Sequence, residues 1–435
     1  MPKAESTWEV RVGLAAKDFY LGGWESALTG VRDQILPAFT GESVAVFEEQ
    51  LIRAGCPGRD ASQVTAPFRC QRCGATTGFR RRGRRSRQLR TRLGRLELQV
   101  AMVGCRCGHR FAPLLAALGV EPHARCAPGL ARRALELCTE LPYRKVAQTL
   151  QREAGATLSE RSLRRLVRRA AARVHLSWQR QDLGPVRALL VDGTRVRAGS
   201  KLGVPHDRGL ELNVAVALRG RDRSGRRATA DLQLVGATFG RRWKALVPAL
   251  RGAAAAPIAV SDGDQGIVAI LNRALPGVPQ QICTFHLRDS IDHRLWGDHM
   301  PFHARRALAR AVGNAVEFAV DADSADRAVA TFIAMAERHH WRNTLGHLRQ
   351  LDPQHLTTWL RIDPSGELEH TTSLIERLMR EVNRRVDPVG VRWSRAGADA
   401  IVSLLLARRF GHPHWRRLCH DRGPAKAWAE LRLCQ

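Results

Sequence analysis

The chain has 435 residues, 44% of them hydrophobic, enough to bury substantial cores and long enough for two to four domains. Its 70 Lys and Arg stand against 41 Asp and Glu, a net charge of +29 carried almost wholly by arginine, which suits bidentate phosphate contact and makes nucleic acid the expected partner. No apolar run reaches the length of a membrane span and the opening MPKAESTWEV lacks a signal-peptide core, which argues against a membrane protein and for the cytoplasm, where ten cysteines read as thiols or metal ligands.

Residues 1–60 read as a mostly helical lead-in without assigned function, its clearest amphipathic piece being Val44, Val46, Phe47, Leu51 and Ile52. Residues 61–118 differ. Cys70-x-x-Cys73 and Cys105-x-Cys107 are two close pairs separated by a basic, strand-like segment. This is the layout of a zinc ribbon, with Cys70, Cys73, Cys105 and Cys107 as thiolate ligands of one structural Zn²⁺. The second pair is one residue tighter than usual, which makes His109 an alternative ligand. Eleven arginines fall from Arg69 to Arg95, and Glu97 is the only acid from Ala66 to Arg110. Such a strip suits a DNA backbone that releases counterions; the plainer reading is a solvated charged face. Cys56, Cys126, Cys138, Cys419 and Cys434 have no partner at ligand spacing and read as buried or incidental.

Residues 119–183 carry a helical pattern. Leu130, Ala134 and Leu137 mark one helix, and Tyr143, Val146, Ala147 and Leu150 a second. After a turn at Gly155, Ser159 caps a third helix with Leu163, Leu166 and Val167 on one side. Arg161, Arg164, Arg165, Arg168 and Arg169 surround that stripe, the shape of a helix-turn-helix whose last helix is basic enough for the major groove. An ordinary helical bundle is the competing reading.

At Gly184-Pro185 the period switches to that of strands. Val186 to Val191 delivers Asp192 at its end or exit turn; Leu210 to Leu218 and Thr229 to Thr238 follow, separated by the turn RGRDRSGRR. A helix from Arg241 to Leu250 leads to a strand at Pro257 to Val260, which delivers Asp262. A helix through Ile267 to Leu271 precedes a fifth strand, Gln281 to Phe285. Three strands, a helix, a strand, a helix and a strand is the order of a ribonuclease H-like core, in which the first and fourth strands are neighbours. Asp192 and Asp262 would then approach each other. In HTTSLIERLMREVNRR, Thr371 or Thr372 caps a helix with Ile375, Leu378, Met379, Val382 and Val386 on its inner stripe and Glu376 beside them. Glu376 and Arg380 are also at the spacing of a plain surface ion pair. Three crowded carboxylates call for a cation, and hard oxygen ligands suit Mg²⁺ or Mn²⁺.

VDGT at Asp192, SDGDQG at Asp262, CTFH from Cys283 to His286, TTSLIERLMREVNRR at Glu376 and WSRAGADAI at Trp393 together resemble DDE transposases of the Mutator-like superfamily and their bacterial insertion-sequence relatives. The steps are 70 residues from Asp192 to Asp262 and 114 from Asp262 to Glu376, and the likeness covers about residues 185–410. Asp264 is the weaker match to the second acid. The resemblance implies an α/β (α+β multidomain) protein: a ribonuclease H-like core over 184–290, a helical insertion over 291–365, a final catalytic helix and C-terminal core over 366–412, and a tail over 413–435.

It further implies that Asp192, Asp262 and Glu376 hold two Mg²⁺ (or Mn²⁺) ions for DNA cleavage and strand transfer at the element's ends and target. Arg377, Arg380, Arg384 and Arg385 would neutralise phosphates, and Trp393 would stack on an unpaired base. Cys283 and His286 form a C-x-x-H signature suited to packing, DNA positioning or metal binding; His293, His299 and His303 lie nearby in sequence. Double-stranded DNA, a homodimer or higher homo-oligomer, and a bacterial, nucleoid-associated cytoplasmic location are the expected context. The competing functions are a transposase-derived DNA-binding regulator without catalysis, and a glycosidase using Asp192 with Asp262, which leaves Glu376 and the charge unexplained.

Overall fold

A computed structural model describes residues 21–56, 64–121, 123–155, 158–174, 186–196, 210–219, 231–240, 243–352, 354–364, 368–387 and 393–419. The opening MPKAESTWEV, the Gly184-Pro185 switch, the turn beyond Arg219, the start of the strand expected at Thr229, Arg241 and Cys434 lie outside the described residues. The architecture is mixed α/β, in two compact units: residues 1–169 with 413–435, and residues 170–412.

In the first unit, α1 (Leu21–Gly55) packs on a hairpin of β1 (Arg80–Thr91) and β2 (Gly94–Gly104), to which β3 (Arg110–Phe111) adds antiparallel. Along β2, buried Leu96, Leu98 and Val100 alternate with exposed Glu97 and Gln99, the period of a sheet covered on one face. Phe47 and Leu51 of α1 close that core, whereas Val46 faces solvent. A bulge interrupts the pairing between Arg81 and Arg84, with Gly83 at φ 87°. Buried Glu48 serves the disturbed ladder, accepting from the Ala101 amide at 2.7 Å and from Arg84 at 2.8 Å. Most of the arginines at the start of β1 are exposed.

The same unit holds α2 (Pro113–Ala117), α3 (Pro128–Glu140), α4 (Tyr143–Ala154) and all but the last two residues of α5 (Glu160–Ala171). Gly155, at φ 56°, ends α4 in the left-handed conformation. Ser159 accepts from the Ser162 amide at 3.2 Å, the bond expected of an N-cap. Val146, Leu150, Leu163 and Val167 are buried, while Arg161, Arg164, Arg165, Arg168 and Arg169 are exposed on the outer side of α5.

The second unit is built on a five-stranded sheet of β4 (Ala188–Val196), β5 (Leu210–Leu218), β6 (Leu232–Phe239), β7 (Ala259–Ser261) and β8 (Gln280–Ile282). Its order is β6-β5-β4-β7-β8; β4 pairs antiparallel with β5 and parallel with β7, and β7 is parallel to β8. A 3₁₀ turn at Trp243–Leu246 precedes α6 (Val247–Leu250), so the continuous helix expected from Arg241 is not formed; Pro248 restarts it within its first turn. With α7 (Gln265–Ala274), α6 buries one sheet face around Leu189, Val191, Ala215 and Leu271.

Five helices follow: α8 (Thr284–Gly297), α9 (Phe302–Glu317), α10 (Ala322–Arg338), α11 (Arg342–Leu348) and α12 (Gln354–Ile362). They share a core of Leu287, Ile291, Val312, Phe332 and Leu348. The helical stretch starts at Thr284 rather than after 290, because β8 ends at Ile282 and Cys283 becomes the N-cap of α8. α12 covers the β8 edge: Thr358 donates to the Gln280 carbonyl at 2.6 Å, and Gln281 donates to the Leu356 carbonyl at 3.0 Å. Then come α13 (Ser373–Val386) and α14 (Arg395–Arg409), and finally α15 (Pro413–Cys419), which belongs to the first unit.

Candidate active site and cysteine cluster

Asp192 lies inside β4, not at its end as expected. Pairing with β5 continues through Gly193↔Asn213 and Thr194↔Leu212 to Val196↔Leu210. Alternation along the strand turns Asp192 and Thr194 to one face and Gly193 to the other. A Cβ on Gly193 would stand 3.3 Å from Asn213 Oδ1 and 3.4 Å from the Trp243 ring, so little room is left there. Asp262 follows directly on β7, the parallel neighbour of β4. Its Oδ1 accepts from the Asp264 amide at 2.9 Å, across Gly263 at φ 81°. Asp264 is used differently: it caps α7, accepting from the Gly266 amide at 2.7 Å.

Glu376 sits in the first turn of α13. That helix buries Leu374, Ile375, Leu378, Met379, Val382 and Val386, each contributing about 1.5–3 kcal/mol if fully withdrawn from water. Asn383 donates to Thr194 Oγ1 at 3.2 Å, fixing α13 over the Asp192 face of β4. Asp192 therefore senses both of the other acids. Burial, then Asp262, pushes the Asp192 carboxyl up to about 7, with Glu376 adding to the effect. Burial also raises Asp262, against the pull of the Asp264 amide.

Cys283 and His286 stand on the first turn of α8 beside Glu376. The His286 Nδ1 to Glu376 Oε1 separation is 4.0 Å. Thr372 links the group, with Oγ1 3.2 Å from Cys283 Sγ, 3.1 Å from His286 Nδ1 and 3.1 Å from Glu376 Oε1. His286 is raised to about 9, first by its hydrogen bond with Cys283 and further by the charges of Asp192 and Asp262. Thr372 is thus more than the cap its position suggests, and Asn383 anchors the helix; the Thr-Thr pair ahead of the Glu376 helix is the one signal of this in the sequence.

In the first unit the thiols of Cys70, Cys73, Cys105 and Cys107 lie within 4.8 Å of one another. Cys70 and Cys107 are 3.7 Å apart and Cys73 and Cys105 3.6 Å. A tetrahedral ion with bonds of about 2.3 Å holds its sulfurs about 3.8 Å apart, so the spacing fits a Zn²⁺ tetrathiolate. Two tight turns present the thiols. The Gly74 amide donates to the Cys70 carbonyl at 2.9 Å and the Gly108 amide to the Cys105 carbonyl at 3.0 Å. His109 is not in the four-thiol group; its ring stacks on Phe111 at 5.7 Å.

Residues 60–416 match the family described as Transposase, Mutator family. The chain belongs to that family. It is 26% identical over 401 residues to the transposase for insertion sequence element ISRM5 of Rhizobium meliloti (strain 1021), covering 90% of this chain and 92% of that relative. It is 25% identical over 276 residues to the transposase for insertion sequence element IS406 of Burkholderia multivorans (strain ATCC 17616 / 249), covering 61% of this chain and 66% of the relative. The matched stretch contains the four-thiol cluster and all three acids of this Mutator-family chain, whereas the whole of α1 precedes it. No helix among the described residues is long and apolar enough to cross a membrane.

The expected DNA contacts divide into two groups. Arg377, Arg380 and Arg384 are exposed along α13. Arg385 and Trp393 are inside the fold, 3% and 8% exposed. The Trp393 indole donates to the Val386 carbonyl at 2.8 Å, and the Arg385 guanidinium lies 5.0 Å from its ring centre. Trp393 thus ties the start of α14 to the end of α13, and as placed neither residue presents a face to phosphate or base. His293 stacks on exposed Trp296, and His303 packs edge-on to Phe302; none of His293, His299 and His303 belongs to a metal-ligating group among the described residues.

Proposed function

We propose that this chain cleaves DNA at the ends of its insertion element and transfers the cut strand, with Asp192, Asp262 and Glu376 as a DDE triad on a ribonuclease H-like core. The observation that carries the reading is that carboxylates from three separate elements act on one buried position: burial first, then Asp262 and more weakly Glu376, raise Asp192 to about 7. Burial and mutual repulsion are costly for the apo site, and a cation lowers that cost. The hard oxygen donors fit Mg²⁺ or Mn²⁺. Bound there, two such ions would supply activation of the attacking oxygen and charge stabilisation on the leaving oxygen.

The chain's own residues do the remainder. Asn383 and the apolar stripe of α13 hold Glu376 against the sheet. Arg377, Arg380 and Arg384 approach phosphates along the same helix. Cys70, Cys73, Cys105 and Cys107 would hold a structural Zn²⁺ in a zinc-ribbon module, and Arg161, Arg164, Arg165 and Arg168 on α5 would enter the major groove as the recognition helix of a helix-turn-helix. Pairing of two element ends would call for at least two protomers.

The test uses labelled duplex DNA carrying the element's own ends, in Mg²⁺ and in EDTA, with wild type beside Glu376→Gln. Cleavage by wild type only, only in Mg²⁺, with equal retention of DNA by both proteins, is the expected result. Cleavage that survives Glu376→Gln overturns the triad. Retention without cleavage by either protein replaces this function with that of a DNA-binding regulator.

A further inference from the structure

Thr372 occupies the N-cap of α13, yet its side chain makes no cap bond to the backbone. A threonine at that position ordinarily accepts from the second or third amide of its helix. Here the hydroxyl is committed elsewhere, in contact with Cys283 Sγ, His286 Nδ1 and Glu376 Oε1 at 3.1–3.2 Å. The residue is completely buried, and its own amide also donates to Cys283 Sγ at 3.2 Å.

A hydroxyl has one proton and two lone pairs. An ionised carboxylate can only accept, so the proton goes to Glu376 Oε1, the strongest acceptor of the three. A lone pair is left for the Nδ1 proton of His286, while Cys283 Sγ, the alternative acceptor for the hydroxyl proton, takes the Thr372 amide. Cys283 is in turn anchored to the sheet, since its amide donates to the Ser261 carbonyl at 2.7 Å. Ser261 is the last residue of β7 and immediately precedes Asp262. One continuous set of bonds therefore runs from the strand that carries Asp262, through Cys283 and Thr372, to Glu376.

We propose that Thr372 is a positioning residue, whose hydroxyl locks the Glu376 carboxylate to the Cys283–His286 pair and thereby fixes the orientation in which it meets a divalent cation. The inference rests on the reading of Glu376 as a metal ligand. It gives the C-x-x-H signature a role that needs no second metal: Cys283 and His286 are the rigid seat against which the hydroxyl is held. Partners that orient a metal ligand carry about 10- to 100-fold in metal affinity when removed.

The experiment measures Mn²⁺ binding to the full-length protein by the loss of the free-ion electron paramagnetic resonance signal. Wild type, Thr372→Ser, Thr372→Val and Glu376→Gln are compared, each also melted in chelator. Thr372→Val, which keeps the shape and loses the hydroxyl, is expected to bind Mn²⁺ about 10- to 100-fold more weakly. Thr372→Ser restores the hydroxyl and is expected to bind close to wild type, with both Thr372 variants still folded in chelator. Binding by Thr372→Val equal to wild type, beside a loss in Glu376→Gln, overturns the role of Thr372 and leaves the metal reading standing. Equal losses in the Val and Ser variants also overturn it, by showing that packing rather than the hydroxyl matters. Failure of wild type to bind Mn²⁺ removes the metal reading and this proposal together.

Discussion

Replacing Asp192 with Asn tests the electrostatic argument at its source. The carboxyl is pushed from its ordinary 3.8 up to about 7, chiefly by burial and then by Asp262. A raised acid keeps its proton in the folded state after the unfolded chain has released it, so its stabilising effect is full below about pH 4. That effect is lost as pH rises through about 7. At about 1.4 kcal/mol per tenfold step in the proton equilibrium, the ceiling is about 4 kcal/mol. Relaxation of the folded site around the ionised carboxylate, which raises the effective dielectric, reduces this to about 2 kcal/mol.

Asparagine removes the charge while keeping an Oδ1 to accept the Gly193 amide, a bond of 2.7 Å in the native site. In chelator at about pH 8, Asp192→Asn is therefore expected to be more stable than wild type, by about 1 M in the urea midpoint for a slope of about 2 kcal/mol per molar. The advantage should fade towards about pH 4 and shrink when Mg²⁺ is added, because the cation stabilises the ionised form. Urea titrations followed by tryptophan fluorescence, with and without Mg²⁺, read both effects. A wild type more stable than the variant at about pH 8 in chelator refutes the reasoning, as does a difference independent of pH.

Loss of metal from the four-thiol cluster should loosen the hairpin module. Cys73→Ser is expected to lower zinc content, measured by atomic absorption, and to weaken DNA retention, while full retention by a zinc-free protein would rule out a structural zinc there. Neutralising Arg377, Arg380 and Arg384 together to Gln should flatten the salt dependence of DNA binding by about 2–3 in slope, read from retention across a salt series. Trp393→Phe should cost about 1–2 kcal/mol of stability, through loss of the Val386 hydrogen bond, in urea unfolding and leave DNA affinity nearly unchanged. A selective fall in affinity with no change in stability would return Trp393 to the DNA surface.

Much of the plan was legible because local chemistry carried it. The stripe from Ile375 to Val386 repeats at helical spacing, and those residues are buried. Ser159 and Gly155 are a helix start and stop that act through their own backbone neighbours. Where tertiary context competes, local reading failed. Asp192 was expected at a strand exit because Asp-Gly usually turns, but pairing with Leu210 to Asn213 keeps it extended. Trp393 and Arg385 were expected at DNA because their types favour it, and packing between α13 and α14 consumes both. Glu48 carries no sequence signal at all, since its partner is an amide exposed by a bulge 53 residues away.

What the sequence by itself determined was the inventory and its periodicity: four cysteines in two close pairs, a basic helix with an apolar stripe, and acids at the ends of apolar runs or beside one. Those features depend on spacings of a few residues, where 3.6- and 2-residue periods leave a direct record. What only the tertiary structure decided was which groups meet. The parallel pairing of β4 with β7 brings Asp192 beside Asp262, and the bond from Asn383 to Thr194 crosses 189 residues to seat α13 over them. The hydroxyl of Thr372, a cap by sequence, is diverted to Cys283, His286 and Glu376 because the start of α8 packs against it. Long-range pairing of this kind is set by the topology of the sheet and by shape, neither of which leaves a periodic trace in the chain.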